Sequence, residues 1–338
     1  MTAIRSDWSR EQIADIYNKP LFELIFEAQQ IHHQYHTPGE VQVCTLLSVK
    51  TGGCPEDCAY CPQAARYQTD VNVHKLMDVE EVIATAQQAK DNGSTRFCMG
   101  AAWREVRNNR DFDKVLQMIN GVQALGLEVC ATMGMATQEQ LEQMRDAGLY
   151  AYNHNLDTAP EFYKDIISTR EYENRLDTLS NIRNAGVTVC CGGIVGMGET
   201  DSERIGLLHQ LVTMNPHPES VPINALVAVD GTPLEEQERV SVWEMLRMIA
   251  TARIIMPRTM VRLSAGRVNM SQEEQALCFL AGANSIFAGD KLLTTPNNEV
   301  NADVELFNLL GLKARPAYKT SPTEADVQAK APVADATA

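Results

Sequence analysis

From Val41 onward the chain alternates short apolar or β-branched runs with longer stretches whose apolar positions recur at helical spacing. The short runs predict strands at Val41–Val49, Thr95–Gly100, Leu127–Met133, Tyr150–Asp157, Val187–Val195, Val221–Val229, Met260–Ser264 and Asn284–Ala288. Helical patterns between them include Val79–Ala89, Gln138–Ala147, Glu171–Ala185, Val240–Ile255 and Gln272–Leu280. Gly93, Gly126, Gly148 and Gly186 each follow a helical stretch, where a residue without Cβ takes the left-handed cap conformation at little cost. Strand–helix alternation implies a parallel sheet covered by helices. Eight such strands in this length favour a closed TIM-type (β/α)8 barrel over an open doubly wound sheet. Residues 1–38 read as an N-terminal helical extension and 39–315 as the barrel. Residues 316–338 read as a flexible tail, with the Ala/Pro-rich stretch Ala329–Ala338 disordered.

Composition narrows the function. A chain of 338 residues, 44% hydrophobic and 22% charged, is an ordinary globular protein able to bury one large core. A net charge of −15 without any basic stripe argues against a nucleic-acid partner, since phosphate binding needs clustered Lys and Arg. A solvated acidic surface accounts for it. Neither an apolar signal core near Met1–Trp8 nor a membrane-length apolar run is visible, so a cytoplasmic (or, in a eukaryote, organellar) protein is expected. Nine cysteines, an odd number in a chain without secretion signals, point to metal ligation or redox chemistry rather than a disulfide framework.

Three of these cysteines follow the first strand in Cys54-Pro-Glu-Asp-Cys58-Ala-Tyr-Cys61. Three thiolates in so short a loop can wrap one polynuclear centre. A structural zinc would call for a fourth Cys or His at matching spacing, and a zinc knuckle or chance grouping is the alternative. Three protein ligands leave one iron of a cluster open, as a catalytic metal requires. The C-x3-C-x2-C spacing after a first barrel strand resembles the radical S-adenosylmethionine superfamily. That resemblance implies a 4Fe–4S cluster on Cys54, Cys58 and Cys61, with its open iron chelating the methionine part of S-adenosylmethionine. It also puts Tyr60 against the adenine.

Cys98, Cys130 and Cys190 fall late in the second, third and fifth strands, where alternate residues point to the barrel axis. Read alone, each is as well explained as a small buried hydrophobe. Cys44 and Cys278 lack this placement and are read as core residues. Because adjacent strand residues face opposite ways, only one of Cys190 and Cys191 reaches the interior. Asn153, Asn155 and Asp157 alternate onto one face at the end of strand four, with His154 and Leu156 on the other. Hydrogen bonding to neighbouring loops is the plain alternative for these groups.

Several stretches together resemble the biotin synthase family: Arg96–Trp103, Tyr152–Thr158, Cys191–Glu199, Val221–Asn224 and Val261–Arg267, within a likeness running from about Arg5 to Leu312. The resemblance implies a 2Fe–2S cluster held by Cys98, Cys130, Cys190 and Arg262. On the residues alone Arg262 is a charge partner, since a guanidinium has no free lone pair. The resemblance also puts Asn155 and Asp157 on the ribose, and Arg175 on the carboxylate of S-adenosylmethionine, where the alternative is a surface charge. Asn153, Asn155 and Asn224 would meet the cyclic urea of dethiobiotin. It selects Cys190 over Cys191, a position often Ser in relatives. The Gly192–Glu199 stretch resembles the superfamily motif behind the adenine, and Ala101-Ala102-Trp103 stands where many relatives carry Gly-Gly-Glu.

The implied activity is radical insertion of sulfur between C6 and C9 of dethiobiotin, with two S-adenosylmethionine consumed per biotin. An electron donor such as flavodoxin or ferredoxin and a homodimer are expected from the family. The rivals are a maturase or mutase on the same barrel, or a non-catalytic iron–sulfur or zinc carrier. A carrier leaves the strand-end Asn and Asp groups unexplained.

Overall fold

A computed structural model describes residues 4–318. Eight parallel strands close into a barrel: β1 (Glu40–Lys50), β2 (Arg96–Ala101), β3 (Glu128–Thr132), β4 (Ala151–Asn153), β5 (Thr188–Cys190) with its continuation β6 (Gly193–Val195), β7 (Ser220–Ala225), β8 (Met260–Leu263) and β9 (Ser285–Phe287). Pairing of β9 with β1 completes the ring, and a short β10 (Lys313–Ala314) adds to the start of β1. The outer layer contains α3 (Val79–Asp91), α4 (Arg110–Ala124), α5 (Gln138–Asp146), α6 (Tyr163–Ile166), α7 (Tyr172–Asn184), α8 (Asp201–Val212), α9 (Val242–Ile255), α10 (Gln272–Leu280) and α11 (Val300–Leu310). This is the (β/α)8 arrangement that the alternating pattern implies.

Two helices precede β1. A capping box between Ser9 and Gln12 starts α1 (Arg10–Tyr17), and Pro20 opens α2 (Leu21–Tyr35). Proline suits that position because its missing N–H has no helical partner to lose. The helices pack on α8 and α9, burying Ile13, Tyr17, Leu24 and Ala28. Among the described residues, no helix is long and apolar enough to cross a membrane. Of the expected tail, residues 319–338 lie outside the described residues.

Strand ends differ from the sequence pattern where the chain approaches the barrel mouth. Strand four stops at Asn153 instead of Asp157, and Asp157, at φ +68°, keeps only an isolated parallel bridge to Gly193. Strand five is broken at Cys191–Gly192. Opposite the break stands Pro222, which has no N–H to give, so β7 bonds β5 at Ser220 and β6 only from Ile223 onward. The strand predicted over Val221–Val229 ends at Ala225.

Apolar packing concentrates between strands and helices; the barrel interior is mixed. Its lower part is polar: Glu128 pairs with Arg96 (2.8 Å) and accepts from Gln42 Nε2 (3.0 Å). Gln42 Oε1 accepts in turn from Arg262 Nη2 (3.2 Å) and Ser285 Oγ (3.1 Å). From below, Arg315 (3.2 Å) and the Tyr318 amide (2.6 Å) reach Glu128, and Tyr318 stacks on Tyr150.

The tightest approach lies at the strand-five break, where a Cβ on Gly192 would stand 2.0 Å from the Pro222 carbonyl oxygen. Backbone cannot step aside as a side chain can. Gly192→Ala should therefore lose about 3 kcal/mol or more in urea unfolding. Gly126→Ala, where a Cβ meets nothing but φ is +81°, should lose about 1–2 kcal/mol. Equal losses would mean that the break is not sterically constrained.

Candidate active site

The loop after β1 is built by paired glycines and anchored by two carboxylates. Gly52 and Gly53 take φ of +69° and +65°, turning the chain back so that Cys54 N donates to the Gln63 carbonyl (2.9 Å) and Ala65 N to that of Cys54 (2.8 Å). Within it, Cys61 N closes on the Cys58 carbonyl (2.9 Å). Glu56 is buried against Arg104 (3.1 Å) and Arg170 (3.2 Å). Asp57 Oδ1 accepts from the amides of Ser168 (3.0 Å) and Thr169 (3.1 Å), and Tyr67 Oη donates to the Asp57 carbonyl (2.5 Å). The loop is thus tied to the segment after α6, more than a hundred residues away. All three cysteines are free thiols. Burial pushes each of them up, Cys61 to about 11.

The polar groups of the barrel mouth hold one another. Arg175 is buried: its guanidinium pairs with Asp157, donates to Tyr163 Oη (2.8 Å) and reaches the Asn155 carbonyl. The surface-charge alternative for Arg175 is thereby set aside. Asn155 Oδ1 accepts from Gly192 N (3.1 Å), and Asn224 spans Gly193 O (2.9 Å) and Ala265 N (3.2 Å). Asn153 differs. Its Nδ2 donates to Thr132 Oγ1 (3.1 Å), while Oδ1 is buried without a hydrogen-bond partner among the described residues.

Lower in the barrel, Cys98 and Cys130 are register partners on β2 and β3. Cys98 touches Cys130, which touches Cys190, whose Sγ lies 3.7 Å from Arg262 Nη1. Hydrogen bonds from Cys190 and Cys98, aided by Arg96 and Arg262, hold Cys130 well below the usual thiol range. Arg262 is itself pushed up, since burial is outweighed by the thiols of Cys44, Cys190 and Cys98. Its Nε donates to Ser285 Oγ (2.9 Å). Cys191 faces the other way, into the apolar layer beneath the helices. Cys278 lies in that layer too. Cys44 is buried, but among the inner thiols rather than with the outer core.

One cavity of about 330 Å³ unites most of these groups: Cys54, Cys58, Tyr60 and Cys61 from the loop, Asn153, Asn155, Asp157, Arg175 and Asn224 from the mouth, and Cys98, Cys130 and Arg262 from the interior. Cys190 stands just behind the lining. Leu46, Ile194, Leu226 and Phe287 supply apolar wall. His154 also lines it, although strict alternation had turned it away; the strand ends before alternation can act. Among the described residues no three His, Cys, Asp or Glu side chains are grouped to hold a single metal ion. Sequence reasoning missed Glu56, Asp57, Arg170 and Cys44. Charges set between the cysteines of the loop were the available signal for the first two.

A parallel barrel with a three-cysteine loop at the C-terminal end of β1, opening on the same cavity as polar strand ends, is the architecture of a radical S-adenosylmethionine enzyme. Residues 48–211 match the radical SAM superfamily and residues 222–313 the Biotin and Thiamin Synthesis associated domain. A biotin synthase from Cytophaga hutchinsonii is 66% identical over 94% of this chain and 95% of its own length. The mitochondrial biotin synthase of Arabidopsis thaliana is 58% identical, over 92% of this chain and 83% of its own. The chain belongs to the biotin synthase family. In fold alone it resembles methylornithine synthase, at 19% identity with a TM-score of 0.77 over 95% of this chain and 96% of that one.

Burial alone would raise the Asp57 carboxyl, but hydrogen bonds from Ser168 and Thr169 bring it from 3.8 to about 2. A carboxylate held down in the folded state stabilises that state above its unfolded pKa, and the stabilisation drains away as pH falls from about 4 through 2. Asp57→Asn cannot ionise. The metal-free variant should lose less stability than the parent across that window, by roughly 2 kcal/mol in urea midpoints converted to free energy. Parallel pH profiles would refute the depressed carboxylate.

Proposed function

We propose that the cavity inserts sulfur between C6 and C9 of dethiobiotin to form biotin, consuming two S-adenosylmethionine, with the two cysteine sets serving two iron–sulfur clusters. The observation that carries this reading is that one cavity is lined by both sets of thiols, with the strand-end amides between them. Cys54, Cys58 and Cys61 would hold a 4Fe–4S cluster; Cys98, Cys130, Cys190 and Arg262 would hold a 2Fe–2S cluster. The donors suit such groups: the thiols are unpaired and soft, and line or back one internal cavity. When bound, the first cluster supplies the electron that cleaves S-adenosylmethionine to its 5′-deoxyadenosyl radical, and the second supplies the sulfur.

The chain's own groups do the positioning. Asn153 Oδ1 offers a free buried acceptor to a ureido N–H, and the fixed amide of Asn224 borders the same space. Asn155 and Asp157 face the ribose, Tyr60 the adenine. Arg175 neutralises Asp157 and is left to meet the carboxylate of S-adenosylmethionine. The apolar wall of Leu46, Leu226 and Phe287 suits the aliphatic chain of dethiobiotin and keeps water from the radical. A flavodoxin or ferredoxin as electron donor, a homodimer and a cytoplasmic location belong to the same reading.

Cys54→Ala, Cys58→Ala and Cys61→Ala should each abolish reductive cleavage of S-adenosylmethionine in anaerobically reconstituted protein. 5′-Deoxyadenosine production surviving in any of the three would sink the assignment.

For the substrate pocket, Asn153→Ala should weaken dethiobiotin about ten- to a hundredfold, the cost of one buried hydrogen bond, while the first cluster stays intact. Equilibrium dialysis with labelled dethiobiotin reads this directly, and an unchanged affinity removes Asn153 from the pocket.

A further inference from the structure

Glu56, between the first two cysteines of the loop, is one carboxylate shared by two guanidinium groups. Arg104 Nη1 (3.1 Å) and Arg170 Nη2 (3.2 Å) both approach its Oε1, while Thr169 Oγ1 donates to Oε2. The Arg104 side chain is 35% exposed, whereas that of Arg170 is 6% exposed and that of Glu56 3%. Water and salt screen an exposed charge much more than a buried one. The trio therefore carries one positive charge more than it carries negative, and Arg170 is its buried cation. The same loop fixes where Arg170 stands. Asp57 Oδ1 holds the amides of Ser168 and Thr169, and Arg104 Nη1 donates to the Thr169 carbonyl (2.8 Å). Arg170 follows directly and lines the cavity with Cys54, Cys58 and Cys61.

The neighbouring cations are already engaged. Arg175 is equally buried, but Asp157, Tyr163 and the Asn155 carbonyl take up its guanidinium. Half-buried Lys50 donates to the carbonyls of Gly52 and Ala102, and Arg66 pairs with Asp57 from the solvent side (3.3 Å). Arg170 differs, because among the described residues its Nε is buried without a hydrogen-bond partner. Its charge also acts on the thiols of Cys54 and Cys58, against the burial that pushes them up. A cation buried on a shared counterion costs several kcal/mol unless a further anion joins it. Reducing the first cluster adds one electron and no proton, which increases the negative charge on these thiolates and their irons. Net charge and hydrogen bonds around a cluster set its potential. We infer that Arg170 supplies the buried positive charge that stabilises the reduced first cluster and so raises its reduction potential. This rests on the reading of Cys54, Cys58 and Cys61 as ligands of that cluster.

The test uses full-length protein reconstituted anaerobically with iron and sulfide, as wild type, Arg170→Met and Arg170→Lys. Photoreduced deazaflavin supplies the electrons, without S-adenosylmethionine, and electron paramagnetic resonance follows the reduced 4Fe–4S signal against potential. An opposite charge nearby shifts a carboxyl pKa by about one to three units, and the same energy acts on an added electron. At the wild-type midpoint, Arg170→Met should therefore lower the reduced-to-oxidised ratio about tenfold, a shift of about 59 mV. Arg170→Lys keeps the charge and should stay within about threefold of wild type. A midpoint unmoved by Arg170→Met, or lowered as far by Arg170→Lys, overturns the inference. So does an unmoved midpoint with weaker S-adenosylmethionine binding in equilibrium dialysis, which would make Arg170 a ligand of that molecule instead. If Arg170→Met assembles no cluster, Glu56→Gln decides, since it removes the shared anion and keeps both cations. A higher midpoint in Glu56→Gln supports the inference, and an unmoved or lower one overturns it. Wild-type protein without any 4Fe–4S signal would overturn the underlying reading and this inference with it.

Discussion

Two arginines, Arg96 and Arg262, lie wholly inside the barrel, and Glu128 is the carboxylate that pairs with Arg96 there. Burying a cation without a counterion costs several kcal/mol, so the interior needs more negative charge than Glu128 brings. Glu128 is shared besides, since Arg315 and the Tyr318 amide also draw on it. Cys44, Cys130 and Cys190 lie in the field of these two arginines. Burial opposes ionisation of Cys44, but the hydrogen bond from Cys98 and the fields of Arg262 and Arg96 bring it to about 6. Cys130 is lowered as well, while its hydrogen-bonding partners Cys98 and Cys190 are raised. In the lower barrel two buried cations thus favour negative charge on Cys44 and Cys130.

The upper site obeys the opposite rule. There the ions are already matched: Asp157 by Arg175, Glu56 by Arg104 and Arg170, and Asp57 by a cage of hydroxyl and amide donors. Lys50 and Arg170 pull on Cys54, and Arg175 and Arg170 on Cys58, but burial outweighs them and pushes all three thiols up. A metal centre must itself displace those protons, so assembly there couples to metal delivery and to pH. The two cysteine sets facing one cavity therefore differ in the direction of the shift, down for Cys44 and Cys130 below and up for all three thiols above.

The sequence pattern carries the barrel because central strand residues such as Val129, Val189, Val221 and Val261 pack outward under helices whose period differs from theirs. It fails at strand ends. Tyr150–Asp157 keeps a period of two on paper, yet the regular strand ends at Asn153, and Asp157 meets Gly193 through a left-handed backbone angle that composition does not announce. Glu56 and Asp57 stand in plain view between cysteines, but their partners Ser168, Thr169 and Arg170 are distant in sequence. Arg262 was legible only through family resemblance. Cys44 needed the register of β1 against β2, which no single strand's pattern contains.

Breaks in regular structure turn out to position the polar groups. At the interruption of strand five, a side chain on Gly192 would strike the Pro222 carbonyl, and one on Gly193 would reach within 2.6 Å of the Asp157 carbonyl. Without side chains there, the ends of β4, β6 and β7 close together. The freed backbone groups are then spent locally: Gly192 N on Asn155 Oδ1, Gly193 O on Asn224 Nδ2, and Ile194 N on the Asp157 carbonyl. Three residues that border the cavity are thereby oriented by one stretch of buried main chain. Asn153, one step earlier and still in the ladder, receives no such bond to its side-chain oxygen. That asymmetry is a physical consequence of where the strand breaks. It leaves a buried amide acceptor facing the cavity, in a wall where the side-chain amides of Asn155 and Asn224 are already committed.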